Sequence, residues 1–203
     1  MSVNYYDEAL LKKLKNWVKD PNMTITGPNE TQRLLRQYAD LNDDNPVTLP
    51  LISLRRTKDI RIVDTNKKPL TFEGVTVAVN EERGVQLRAI PIEIRYQIDI
   101  YCRYQEEADA YLRDFVFNLI NYPKINIEIP YNNLKGIHSS SLVIDETIND
   151  NSDIPERLVE GQFTRYTIGL LIPDAWLFSS RAQSNVKLDD IEVKVTFKEN
   201  IDA

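Results

Sequence analysis

The stretch IEIRYQIDIYCRYQEEADAYLRDFVFNLI, residues 92–120, changes its hydrophobic period near the middle. From residue 92 to residue 104 apolar and polar side chains alternate, a period of two that is typical of a half-buried β-strand. One face of this strand carries Ile92, Ile94, Tyr96, Ile98, Ile100, Cys102 and Tyr104. The other face carries Glu93, Arg95, Gln97, Asp99 and Arg103, with Tyr101 among them. The pattern predicts a long strand with one buried face and one hydrophilic face.

The second half of the stretch predicts a helix. Its apolar residues recur at the spacing of a core-facing helix, and they are Ala108, Tyr111, Leu112, Phe115, Val116, Leu119 and Ile120. Glu106, Glu107 and Asp109 lie in the first turn, where acidic side chains interact favourably with the helix dipole. We therefore expect the apolar stripe of the helix and the apolar face of the strand to bury each other.

The remaining sequence predicts one α+β domain over residues 1–203. Residues 1–45 are expected to hold a helical pair, with an apolar stripe over residues 5–19 and a second helix capped by Asn29. Residues 74–90 alternate around a turn that contains Gly84 and predict a β-hairpin that projects as an arm. Other predicted strands are VTLPLISL, DIRIV, INIEI, SSLVI, QFTRYTIGLLI and DIEVKVTF. This order favours a mostly antiparallel sheet with helices packed on one face.

Composition narrows the class of protein. The chain has 203 residues, a formal net charge of -6 and a single cysteine, so an internal disulfide is excluded. The negative charge disfavours a broad basic grip on nucleic acid, although it suits a surface past which DNA slides. No window approaches the roughly 20 apolar residues of a membrane span, and the N-terminus has no signal pattern. We expect a soluble intracellular product.

Few residues offer catalytic chemistry. Cys102 lies on the apolar strand face and is expected to fill the core, where free cysteines are commonly buried. His138 is the only histidine, which excludes a paired-histidine metal site. The acidic segment DETINDNSD resembles a calcium loop in composition only, since it lacks the required glycine and closing glutamate. We expect no enzymatic activity, no cofactor and no metal. A metal-dependent nucleic-acid enzyme that uses Glu106, Glu107 and Asp109 is a distant alternative.

Several side chains are better explained as contacts. Phe117 lies opposite the apolar stripe of its helix, and DAWLF places Trp176 and Phe178 just after a predicted strand. Large aromatic residues outside a periodic core are enriched at interfaces, although a second small core would also explain them. The candidates for a subunit or partner interface are Glu93, Arg95, Asp99, Arg103, Phe117, Trp176 and Phe178.

These segments together resemble a known family. Residues 96–107, YQIDIYCRYQEE, resemble the strand-to-helix segment of the tail terminator proteins of contractile-tailed bacteriophages, also called tail sheath stabiliser or tail completion proteins. Three more segments occur in the order that the family shows. Leu49-Pro50-Leu51 resembles an early strand, Ile144-Asp145-Glu146 resembles a mid-chain strand end, and DAWLF resembles a closing aromatic turn. The resemblance spans residues 47–178, with a gap across the hairpin.

The resemblance implies a structural virion protein without enzymatic activity. Proteins of this family form a ring, usually a hexamer, which caps the finished tail tube and sheath at the tail–neck junction. The implied partners are further copies of the chain, the tail tube protein, the tail sheath protein, neck or connector proteins, and genomic DNA that passes without sequence-specific binding. Assembly would take place in the host cytoplasm. A neck or head–tail connector component is the nearest alternative.

Overall fold

The structure is a computed structural model, and it describes residues 3–30, 49–63, 73–78, 83–131, 134–152 and 163–187. Its helices in these ranges include α1 (Val3–Trp17) and α2 (Gln105–Asn121). The strands are β1 (Thr24–Thr26), β2 (Leu51–Ile62), β3 (Glu73–Ala78), β4 (Arg83–Cys102), β5 (Lys124–Tyr131), β6 (Leu134–Ser141), β7 (Val143–Asp150) and β8 (Thr164–Lys187). The fold is α+β with a large, mostly antiparallel sheet, as predicted.

The long strand β4 is the centre of the sheet. One of its sides pairs first with β3 and then with β2, while the other side pairs with β8 along nearly its whole length. The far side of β8 pairs with β7. All of these pairs are antiparallel, and β1 adds a short parallel pair to the first residues of β2. One part of the sheet therefore has the strand order β2–β4–β8–β7.

Both helices pack on the same face of this sheet. Buried apolar residues of α1, α2, β4 and β8 form one core, whose members include Tyr6, Leu10, Leu14, Ile94, Ile98, Ile100, Cys102, Phe115, Leu119, Ile168 and Leu170. Trp17 of α1 meets Phe115 of α2 edge to face, with ring centroids 5.5 Å apart. The predicted burial of the strand's apolar face by the following helix is confirmed, except that Tyr104 and Ile120 are 69% and 66% exposed.

The hairpin of β5 and β6 packs beside α1. Ile125, Ile127 and Ile129 of β5 are buried in the core, since alternate residues of the strand point toward α1. Asp174 of β8 ties the hairpin to the sheet by accepting hydrogen bonds from the backbone N–H and the hydroxyl of Ser141, at 2.8 and 2.9 Å.

The hairpin predicted at residues 74–90 is confirmed, with one addition. Its register runs from Glu73 opposite Ala89 to Ala78 opposite Gly84. The second strand is the beginning of β4, and it also pairs with the far end of β8. The hairpin was expected to project as an arm, yet its second strand lies between β3 and β8.

Several other predicted strand boundaries differ from the structure, because the strands are longer than the sequence segments that predicted them. DIRIV is the end of β2, separated from its beginning by a register shift between Arg56 and Ile60. DAWLF lies inside β8, because its residues pair with β4. SSLVI is divided between β6 and β7, and the acidic segment predicted as a loop begins inside β7. The short strand β1 was not predicted. DIEVKVTF and most of the second predicted helix lie outside the described residues.

Candidate interaction surfaces

The predicted hydrophilic face of β4 contains a buried polar network around Asp99. The Asp99 side chain is completely buried, and its carboxylate is contacted by two arginines from the flanking strands. Arg165 of β8 donates from Nε and Nη2 at 3.2 and 3.0 Å, and Arg55 of β2 donates from Nε at 3.1 Å and also from Nη2. Thr167 and Gln97 donate at 2.7 and 3.0 Å. The carboxylate is thus surrounded by donors from β2, β4 and β8.

The network keeps Asp99 ionised. Burial alone would raise the pKa of this carboxyl, but the charge of Arg55 and the hydrogen bonds from Arg55, Thr167 and Gln97 hold the pKa below its usual value. Arg165 also lies over the Tyr101 ring, 5.4 Å from its centroid. Since its carboxylate is enclosed within the subunit, Asp99 cannot present a charge to a partner, and the prediction that it lies on an exposed face is wrong.

The other charged candidates on this strand are at least partly accessible. Glu93 is half-buried, with one carboxylate oxygen 3.8 Å from Arg61 of β2. Arg95 is exposed, and its carbonyl accepts a hydrogen bond from Thr57 at 3.2 Å. Arg103 is exposed in the bend between β4 and α2. The structure therefore does not bring the four charged candidates together on one surface.

A second polar cluster lies on the helix side of the sheet and was not predicted. Asp7 of α1 accepts hydrogen bonds from the Tyr96 hydroxyl at 2.7 Å and from Arg56 at 2.8 Å. Burial raises the pKa of Asp7, and the two donors only partly oppose this effect. The cluster fixes α1 to β2 and β4. The only sequence feature that pointed to this cluster is Tyr96, which lies on a strand face that is otherwise rich in isoleucine.

The described surface of α2 carries large apolar side chains at its C-terminal end. Phe117, Ile120 and Tyr122 are 61%, 66% and 63% exposed, and we call these three residues the α2 patch. Phe117 and Ile120 are three positions apart and so lie on neighbouring parts of one helix face. Exposure of Phe117 agrees with its selection as an interface candidate, while Ile120 and Tyr122 were missed.

The remaining aromatic candidates are integrated into β8. Trp176 is partly buried opposite Pro91, and its backbone N–H donates to the Tyr6 hydroxyl at 2.7 Å. Phe178 is partly buried and packs edge-on against His138, with ring centroids 5.4 Å apart. Both residues contribute to the attachment of α1 or β6 to the sheet, so neither presents a wholly exposed ring.

Two of the residues considered for chemistry, Cys102 and His138, are completely or partly buried. Cys102 is completely buried, and burial raises the pKa of its thiol to about 12. Burial also lowers the pKa of His138, whose Nε2 has no hydrogen-bond partner in the described part of the chain. The described residues contain no group of three or more His, Cys, Asp or Glu side chains arranged to hold a metal ion.

No helix in the described part of the chain has the length and apolar character needed to cross a membrane. No protein-family model matches this chain, and no curated protein sequence is significantly similar to it.

Proposed function

We propose that this chain is a tail terminator subunit of a bacteriophage, which assembles as a ring and closes the end of the tail tube and sheath. The observation that carries the proposal is the segment YQIDIYCRYQEE, whose resemblance to the family coincides with one structural junction. In that segment β4 passes through two bend residues directly into α2. The other three resembling segments are arranged along the chain in the same order as in the family.

The junction is also a rigid support for a contact surface. The strand before it is buried on both faces between residues 98 and 102, and the helix after it is fixed by Ala108, Phe115 and Leu119 in the core. The α2 patch is at the far end of this anchored helix. Exposed aromatic and isoleucine side chains on a rigid element are suited to burial at a protein interface. The tail tube or sheath protein is the partner that this proposal assigns to the α2 patch.

The charge of the chain is compatible with a position on the path of DNA. The formal net charge is -6, so the subunit as a whole does not attract the phosphate backbone. A ring through which a genome passes benefits from weak contacts of this kind.

Electron microscopy of tail tubes mixed with the purified chain would test the proposal. We expect additional density at one end of each tube. The Phe117→Lys variant should lose tube-end binding, because a lysine in the α2 patch would have to be desolvated in the interface. Arg113→Ser, an exposed change on the same helix, is the matched control and should bind normally.

The same experiment separates the proposal from the connector alternative. Head particles that carry portal complexes are mixed with the chain in parallel. Binding to portals and not to tube ends would replace the proposed function with that of a connector. Binding to neither would contradict both functions.

A further inference from the structure

The β2–β4–β8–β7 part of the sheet has two outer edges that differ in charge. From Arg56 to Ile62, β2 pairs with β4 and with no second strand among the described residues. On the opposite side, β7 pairs with β8 alone within the same described ranges. The sequence of β2 contains four basic residues and one acidic residue, whereas that of β7 contains three acidic residues and none that is basic. By sequence, this part of the sheet therefore has a basic edge strand and an acidic edge strand.

Arg55 and Arg56 are already engaged within the subunit, with Asp99 and Asp7. Of the other charged residues on β2, Asp59 and Arg61 are exposed. The Arg61 side chain is 77% exposed, and its Nη1 lies 3.8 Å from a carboxylate oxygen of Glu93. On β7, Asp150 is exposed at the strand end. The β2 edge thus exposes the cationic Arg61, and the β7 edge exposes the anionic Asp150.

Strand direction also matches across the two edges. The order β2–β4–β8–β7 is antiparallel at each step, so β2 and β7 run in opposite directions. A second copy, placed beside the first without being turned over, would therefore bring its β7 antiparallel to β2. The alternation would continue from one subunit into the next.

The apolar residues of the two edges lie on the same face of the sheet. Ile60 and Ile62 are opposite Ile94 and Ile92, and Ile148 is opposite Ile168. Those partners belong to the core on the helix side, and directly opposed residues point to one face. Ile60, Ile62 and Ile148 are 41%, 51% and 39% exposed. Pairing of the edges would extend the buried apolar layer from subunit to subunit.

We propose that β2 of one subunit pairs with β7 of a second copy of this chain, which gives the head-to-tail contact of a ring. The inference rests on the ring of the proposed function and assigns its surfaces. Such a contact uses two different patches on each subunit, as cyclic symmetry with more than two members requires. Backbone hydrogen bonds would supply affinity, while the opposite charges would set the register.

The position of β1 determines how the copies are offset. Because β1 lies beside Leu51–Ser53, a neighbouring β7 can pair only with the later part of β2. Ile60 pairs with Ile94, which in turn pairs with Ile172 of β8. Ile148 pairs with Ile168 of the same strand. Alignment of Ile148 with Ile60 therefore shifts the neighbour by four residues, or about 13 Å at the rise of a β-strand. A stagger of this kind tilts the strands relative to the axis of a closed sheet.

Native mass spectrometry of the full chain and two edge variants tests this arrangement. The β2-edge variant combines Ile60→Glu and Ile62→Glu, and the β7-edge variant is Ile148→Glu. Each change places a carboxylate in the apolar layer that edge pairing would bury, at positions that are exposed in the subunit. We expect a closed oligomer for the wild type and monomers for each variant alone.

An equimolar mixture of the two variants provides the decisive measurement. Each variant keeps one intact edge, so the mixture should form a dimer through a single contact and stop there. Phe117→Lys is the control and should retain the wild-type mass. Circular dichroism would confirm folding, and Arg61→Glu, at an exposed position, provides a milder edge variant that should also lose the closed oligomer.

Three outcomes would overturn the inference. They are a wild type that remains monomeric, an edge variant that keeps the wild-type mass, and a mixture that yields no dimer. The electron microscopy of tail tubes has a separate readout. If the chain binds tube ends but the edge variants keep the wild-type oligomer mass, the proposed function stands. Only the assignment of β2 and β7 as the ring contact would then be rejected.

Discussion

Between residues 98 and 102 both faces of β4 are buried, but different forces hold them. On the helix side, Ile94, Ile98 and Ile100 are completely buried among apolar neighbours. On the opposite side, Asp99 and Tyr101 are equally buried, and Asp99 is surrounded by arginine, threonine and glutamine donors. The first face can exchange apolar side chains of similar volume at small cost. The second face depends on specific pairs, because an unpaired buried charge is strongly unfavourable.

The difference indicates separate roles for the two faces. Apolar burial supplies most of the driving force but tolerates alternative packing. The Asp99 network requires β2, β4 and β8 in one register, because Arg55 and Arg165 approach the carboxylate from opposite sides of β4. We therefore expect the network to specify strand alignment in a sheet whose two longest strands have 20 and 24 residues.

The largest effect is expected from Asp99→Ala. Loss of the carboxylate breaks the pair that Asp99 forms with the nearly buried Arg165, and breaking a buried pair in this way costs about 3–5 kcal/mol of unfolding free energy. Denaturant unfolding would measure the loss. Glu93→Ala is the matched control on the same strand face, and it should change stability by no more than about 0.5 kcal/mol. Equal effects of the two substitutions would show that the polar face has no special role.

Acid should reproduce part of the loss of stability that is expected from Asp99→Ala. The pKa of Asp99 is lowered from 3.8 in the folded chain, so its contribution to stability is full well above pH 3.8. That contribution decreases as the pH falls through the unfolded value toward the lower folded value, because the unfolded state binds the proton first. Unfolding curves between pH 7 and pH 3 would measure the slope. Asp99→Asn should flatten it, and an unchanged slope would assign acid sensitivity to other carboxyls.

The smallest effect is expected on the apolar face, from Cys102→Ala. The substitution removes one buried sulfur and should cost about 1 kcal/mol, since only a small cavity forms. Assembly and tube-end binding should be unchanged in the folded variant. Loss of either property without loss of stability would reveal a role for the thiol that core packing does not explain.

The sequence by itself determined the elements with a clear period. The alternation of residues 92–104, the helical spacing that follows it and the hairpin after residue 74 all predicted elements that the structure contains. These elements follow from local pattern because a strand or helix must turn its apolar residues to one side. Exposure of Phe117 could be predicted for the same reason, since it lies opposite the apolar stripe of α2.

Only the tertiary structure decided which polar residues are buried and which strands lie at the outside of the sheet. A period of two separates the two faces of β4, but it does not reveal that Arg55 and Arg165 would meet Asp99 there. That meeting depends on the registers of β2 and β8, which join residues 44 and 66 positions away from Asp99. The basic edge on β2 and the acidic edge on β7 likewise emerge from strand order, because pairing between distant segments determines which strands lie at the outside of a sheet.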